Sequence, residues 1–249
     1  MNFLSIPKRK TGNRVCGITS VIDLGIPLGV LQSILEDYSP YIDFAKIGIG
    51  TAYVTPRLQE KINLYKAYHV KPFFGGTFFE KCYHQNKLKE YVQTLNEFEI
   101  EWIEISTGTL DIPLEERLQL ISMLKNDFHC LAEVGSKDNS FDMPVDDWKQ
   151  EIKLLLEAGS TYCITEGRDS GTSGIYEKNG EIKSNLIHEL IKDIDVNKII
   201  FEAPTPRHHM FFINEFGANV NLGNIKLTDV LALEAERCGL RSETFFMEG

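Results

Sequence analysis

Several features common in a chain of 249 residues are missing here, and each gap removes a class of protein. Cysteine is scarce: Cys16, Cys82, Cys130, Cys163 and Cys238 are odd in number, widely spaced and form no Cys-x-x-Cys pair. That pattern argues against both structural zinc and a disulfide framework, and it makes a reduced, cytoplasmic setting the expectation. No segment supplies the roughly 18 uninterrupted apolar residues of a membrane span. The stretch from Met1 to Asn13 has only a short apolar patch before Lys8, Arg9 and Lys10, unlike a signal peptide. Basic residues are in the minority, 26 against 36 acidic, for a net charge of −10. Nucleic acid and anionic membranes both demand a basic footprint, so neither is an expected partner. Any anionic ligand must instead be met by a few Lys or Arg groups inside a cleft. There is no low-complexity linker to divide the chain, and no Gly-x-Gly-x-x-Gly turn after the first strand-like run, which passes into Asp23-Leu24-Gly25-Ile26-Pro27.

What the chain does have is a regular alternation of two hydrophobic periods. Apolar residues make up 43% of it, ample for one continuous core. Short β-rich runs occur at Val15–Asp23, Ile42–Gly48, Val70–Gly75, Glu101–Ser106, Phe128–Gly135, Thr161–Gly167, Lys198–Ala203 and Ala218–Leu222. Between them lie stretches with apolar residues three and four apart: Leu28–Tyr38, Arg57–Tyr68, Lys87–Phe98, Leu114–Asp127, Val145–Ala158, Asn185–Ile194, Arg207–Phe216 and Leu227–Cys238. Helix punctuation supports the second set. Pro56 and Pro113 suit first turns, Glu115 and Glu116 put negative charge near a helix N-terminus, and Gly159 and Gly239 fall just past helix ends. Strict βα alternation implies parallel strands with right-handed crossovers. Eight such units predict an α/β protein that is a single (β/α)8 TIM barrel over residues 1–249, with residues 1–14 as an N-terminal arm. A doubly wound open sheet is the alternative.

A barrel builds its site from the C-terminal ends of its strands. In order these are Asp23, Lys46, Gly75-Gly76-Thr77, Glu104 with Ser106, Glu133, Glu166 with Arg168, Glu202, and Asn221. On a period of two, Glu104 and Ser106 share the face of Trp102, and Glu166 that of Tyr162 and Ile164. Gathering so many carboxylates requires a neutralising cation, either interleaved Lys and Arg or a divalent metal. Oxygen ligands with no His or Cys nearby favour Mg²⁺. Lys46 reads as a fixed partner for a phosphate or carboxylate, with a Schiff-base aldolase as the competing reading. Arg168, in a small-residue loop, is suited to gripping an anion in bidentate fashion. Lys137 lies near the root of a long loop, Ser136–Asp146, from which it reaches toward the mouth as an acid. A second long loop, Arg168–Ser184, carries Asn179-Gly180, a hairpin signal; both loops are lid candidates. Asn221-Leu222-Gly223-Asn224 offers backbone N–H groups to a phosphate, whereas His208 and His209 read as surface or capping residues.

The same strand ends resemble those of the phosphosulfolactate synthase family. The runs that carry the likeness include Asp43-Phe44-Ala45-Lys46-Ile47-Gly48-Ile49-Gly50-Thr51, Gly75-Gly76-Thr77-Phe78-Phe79-Glu80, Glu104-Ile105-Ser106 and Glu133-Val134-Gly135. They continue with Glu166-Gly167-Arg168-Asp169-Ser170-Gly171, Phe201-Glu202-Ala203-Pro204, Val220-Asn221-Leu222-Gly223-Asn224-Ile225 and Gly239-Leu240-Arg241. The resemblance implies a (β/α)8 barrel in a homo-oligomer, a trimer, that adds sulfite to phosphoenolpyruvate with Mg²⁺ to give (2R)-2-phospho-3-sulfolactate. On that basis Glu104 and Glu133 are the expected Mg²⁺ ligands and Lys137 the general acid. Lys46 and Arg168 are expected to hold the substrates, aided by Asn221 and the Gly223 backbone. The chain departs from the family where Leu24 replaces a Lys, Thr107 an acidic residue and Ser136 a basic one. The competing functions are another lyase or aldolase on a small phosphorylated acid, and a non-catalytic, stress-related member of the same barrel family.

Overall fold

The computed structural model describes residues 3–10, 14–136, 143–168 and 170–247. Eight strands alternate with helices: β1 (Thr19–Asp23), β2 (Phe44–Ile47), β3 (Lys71–Phe74), β4 (Trp102–Ile105), β5 (His129–Val134), β6 (Tyr162–Thr165), β7 (Ile199–Glu202) and β8 (Leu222–Lys226). All the ladders are parallel, in the order β3-β2-β1-β8-β7-β6-β5-β4, so the first and last strands of the chain pair with each other. β3 and β4 lie side by side without a ladder among the described residues. The result is an eight-stranded, nearly closed TIM-type barrel, as expected.

The alternation along each strand sorts side chains into two cores. One face, with Ile18, Phe44, Phe73, Trp102, Leu131, Tyr162, Ile164 and Ile200, fills the barrel interior. Phe44 and Trp102 meet edge to face there at 4.6 Å between ring centroids. The other face, including Val21, Ala45, Ile103, Cys130, Cys163, Phe201 and Ile225, packs outward against the helices.

The helices follow their punctuation. The first, α1 (Leu28–Tyr38), has the predicted bounds. The helix at Leu114–Leu124 begins after Pro113 with Glu115 and Glu116 in its first turn. Val145–Ala158 follows Pro144 and stops at Gly159, whose φ of +122° suits glycine. Two helices escape the periodicity. Thr51–Val54 is too short to show a repeat, and Gly76–His84 starts on a glycine pair that reads as loop. Among the described residues no helix is long and apolar enough to cross a membrane.

Two expectations are corrected here. The last strand begins at Leu222 rather than ending there. The loop after β6 is no loose lid: its hairpin is present, with Tyr176 and Ile182 bridged antiparallel, but Ile175 and Tyr176 are buried. The Tyr176 hydroxyl donates to the Glu202 carbonyl, and the ring stacks on His208 at 4.1 Å.

Asp23, at the end of β1, turns away from the barrel axis. Its Oδ2 accepts from Lys61 Nζ at 2.6 Å and from the Tyr65 hydroxyl at 2.9 Å, both on the helix Leu58–Ala67. Its Oδ1 accepts from the backbone N–H groups of Gly25 and Ile26. This carboxylate, one of the five read as strand-end acids, therefore locks the β1 turn onto that helix. Replacing Lys61 by Met strands a buried carboxylate beside three weaker donors, and urea unfolding is expected to show a loss of about 3 kcal/mol. A loss below about 1 kcal/mol, the range of exposed pairs, would show that the lock is not structural.

Candidate functional site

The other four strand-end carboxylates do converge. A cleft of about 150 Å³ opens at the C-terminal ends of the strands, lined by Ile22, Lys46, Ile49, Gly76, Thr77, Thr109, Glu133, Glu166, Arg168, Glu202 and Asn224. It is smaller than the roughly 300–1,000 Å³ of drug-sized pockets and suits a small metabolite.

At its floor Lys46, buried on β2, holds three carboxylates at once. Its ammonium lies 2.8 Å from Glu104 Oε1 on β4, 3.0 Å from Glu202 Oε1 on β7 and 3.5 Å from Glu133 Oε2 on β5. Burial alone would lower the Lys46 pKa, but the charges of Glu104, Glu202 and Glu133 outweigh it and hold the group well above its ordinary value. A permanently charged ammonium is a poor imine-forming nucleophile, which speaks against the aldolase reading. Glu104 is the most enclosed of the three. Burial pushes its carboxyl up to about 8, a rise opposed by Lys46 and reinforced by Glu133.

A second layer steadies these acids. The Ser106 hydroxyl lies 2.8 Å from Glu133 Oε1 and 2.6 Å from Glu80 Oε1, so the two carboxylates compete for its single proton. The other Glu80 oxygen accepts the N–H groups of Thr109 and Leu110, each at 2.7 Å, and so bends the β4 loop over the cleft. Glu80 belongs to the helix Gly76–His84 that the periodicity misses; its only trace in the sequence is its place in a family-like run. Gly76 allows that helix to start against β4, since a Cβ there would lie 2.3 Å from the Ser106 Cβ.

The expected site residues divide. Lys46, Glu133 and Arg168 meet in the cleft, and Glu104 stands behind Lys46. Arg168 is exposed with a left-handed φ of +56°, and its backbone N–H donates to Glu166 Oε1 at 2.6 Å. Its guanidinium makes no ion pair among the described residues, so it stays available to an anion. Lys137 lies outside the described residues. Asn221 is corrected: it precedes β8 at the opposite end of the barrel, accepting from the Ile18 N–H and donating to the carbonyls of Asn197 and Ile199. Gly223 sits within β8, and the residue of that run that reaches the cleft is Asn224. His208 and His209 are buried, not superficial; His209 bridges the Ala203 carbonyl and Glu236. Of the departures from the family pattern, Leu24 is exposed, and Thr107 braces its own loop by donating to the Leu110 carbonyl and accepting the Ile112 N–H.

Among the described residues no three His, Cys, Asp or Glu side chains are gathered closely enough to cage a metal by themselves. The donors facing the cleft are carboxylate oxygens, with more negative charge than Lys46 and Arg168 offset. Such a set fits Mg²⁺, which takes one or two carboxylates and completes its octahedron with water and substrate oxygens.

Residues 7–243 match the family model described as (2R)-phospho-3-sulfolactate synthase (ComA). The phosphosulfolactate synthase of Bacillus subtilis (strain 168) is 41% identical over 247 residues, covering 98% of each chain. That of Methanocaldococcus jannaschii is 42% identical, covering 92% of this chain and 94% of its own. A more distant relative, Protein HEAT-STRESS-ASSOCIATED 32 of Arabidopsis thaliana, is 21% identical over 78% of this chain and 75% of its own. Among solved structures, 3-keto-L-gulonate-6-phosphate decarboxylase from Vibrio cholerae aligns with a TM-score of 0.54 at 11% identity, covering 93% of this chain and 99% of that one. 3-Hexulose-6-phosphate synthase from Salmonella typhimurium gives 0.54 at 13% identity, covering 90% and 95%. These structural likenesses show the barrel fold alone.

The raised Glu104 pKa has a testable sign. Because it lies above the roughly 4.3 of an unfolded glutamate, the folded state binds more protons between about pH 5 and 8, and stability falls as pH rises through that window. In chelator-treated protein, Glu104→Gln is expected to flatten the decline of Tm from pH 5 to 8. Parallel Tm profiles for the two proteins would refute the assignment.

Proposed function

The chain belongs to the phosphosulfolactate synthase family and is an enzyme of that activity; we propose that it adds sulfite to phosphoenolpyruvate with the help of Mg²⁺. The observation that carries this reading is the pairing of a fixed ammonium, Lys46, with the Arg168 guanidinium, which has no ion pair among the described residues, over a floor of carboxylates. Two anionic substrates need cations at defined points: three acids fix the Lys46 ammonium, and Glu166 accepts from the Arg168 backbone N–H and so places its loop. The acids also leave surplus negative charge for a metal.

In this reading sulfite forms a carbon–sulfur bond at the methylene carbon of phosphoenolpyruvate. The π electrons move toward C2 and the carboxylate, and C2 then takes up a proton. Glu133, on the cleft wall, would hold Mg²⁺, and Glu104 acts from behind through Lys46. When bound, Mg²⁺ supplies Lewis-acid stabilisation of the charge that accumulates on the substrate carboxylate. Lys46 and Arg168 bind the anionic groups, the first as a point charge and the second as a bidentate fork. Lys137 delivers the proton to one face of C2, which sets the R configuration; this role rests on the family resemblance. The resemblance also implies a homotrimer, an assembly of the kind that covers exposed apolar side chains such as this chain carries.

Incubation with phosphoenolpyruvate, sulfite and Mg²⁺ is expected to yield the adduct by mass detection, with turnover abolished by a chelator and restored by Mg²⁺. No adduct would sink the substrate assignment. Lys137→Ala is expected to lower kcat by at least about 100-fold, the usual contribution of a positioned acid. Near-normal turnover would remove Lys137 from the mechanism.

A further inference from the structure

β8 contains an irregularity that the proposed chemistry has not used. Along its ladder with β1, Thr19 pairs with Leu222 and Val21 with Ile225, so β8 spends three residues where β1 spends two. This is a β-bulge at Gly223-Asn224. Leu222 and Ile225 both pack on the outer core. Without the extra residue, strict alternation would also send Asn224 outward. The bulge instead turns Asn224 into the cleft, where it stands with Lys46, Glu202 and Arg168.

Two further observations show that this placement is held against local preference. Asn224 has a left-handed φ of +55°, a conformation that L residues other than Asn, Asp and Gly rarely adopt. Its side chain is buried, yet among the described residues its Oδ1 has no hydrogen-bond partner. Buried amides are normally satisfied, and an exception calls for an explanation. A half-turn of the amide exchanges the oxygen and nitrogen positions, so either end can face a ligand. Beside carboxylates and an anionic substrate, the N–H end is favoured.

We propose that Asn224 is a substrate-binding residue that donates from its amide nitrogen to a phosphoryl oxygen of the phosphorylated substrate. In barrels of this type, phosphate groups settle by the loops after strands seven and eight, the place the bulge occupies. A neutral donor suits this corner: it recognises the phosphate without adding another cation for Glu202 to capture. The assignment rests on phosphoenolpyruvate being the substrate.

Calorimetric titration of phosphoenolpyruvate in the presence of Mg²⁺ tests it, alongside steady-state kinetics with sulfite. Asn224→Gly keeps the left-handed backbone and removes the amide; the Kd for phosphoenolpyruvate is expected to rise at least tenfold, with KM for sulfite unchanged and Tm equal or higher. Asn224→Asp keeps the shape but turns a carboxylate on the phosphate, and is expected to bind more weakly than the glycine variant. A purely structural role predicts the reverse order, because Asp is the closer mimic. Affinities within twofold of wild type, or that reversed order, would overturn the proposal. If wild type binds phosphoenolpyruvate but does not consume it with sulfite, the reaction assignment fails while the affinity ratios still decide the role of Asn224. If wild type does not bind it, both are overturned.

Discussion

The arrangement on which the rest depends is one buried ammonium shared by three carboxylates. Lys46 in isolation would tend to shed its proton in the barrel, and Glu104, Glu133 and Glu202 in isolation would resist ionising together. Placed within 2.8 to 3.5 Å, the three carboxylates hold the Lys46 ammonium charged, while burial makes Glu104 itself reluctant to ionise. The charge at the mouth is thus a property of the cluster rather than of any residue. Ser106, itself held by Glu80, keeps Glu133 within reach of Lys46, and the hairpin after β6 supports Glu202 through Tyr176.

Much of this was legible in the sequence because parallel strands obey a simple geometry. On a period of two, Trp102 fixes the face of Glu104, and Tyr162 and Ile164 that of Glu166, so these inward charges can be named. The misreadings have equally physical origins. Asp23 ends its strand in the opposite phase, sharing the outward face of Val21. Asn221 reads as a mouth residue because Ala218–Leu222 is more apolar than the true strand, whose Gly223 and Asn224 dilute the β signal. A bulge leaves no periodic trace, since it consists of one residue out of step. Glu80 was hidden in a helix that begins with two glycines, and its role depends on contacts with a loop about thirty residues away. The two histidines look solvent-facing by composition, and only tertiary packing against Glu236 and Tyr176 buries them.

The net charge of −10 also acquires a place. Part of the excess lies in the ring of acids that orients Lys46, and under the proposed function that ring also serves a divalent cation, so that an acidic protein handles two anions. Arg168, exposed and without an ion pair among the described residues, contrasts with Lys46, enclosed and anchored by three carboxylates. One cation is anchored and the other can follow the substrate, a division of labour that their different side chains suit.

The gap between β3 and β4 gives the cluster another meaning. Among the described residues that junction has no ladder of backbone hydrogen bonds, yet Lys46 on β2 reaches Glu104 on β4 and so spans it. The ion pair is a clasp across an unsewn seam, and the atoms that ready the mouth for its substrates also keep the cylinder shut. Fold and chemistry here draw on one set of side chains, so drift at these positions is constrained twice: a variant that loosens the clasp loses roundness along with reactivity.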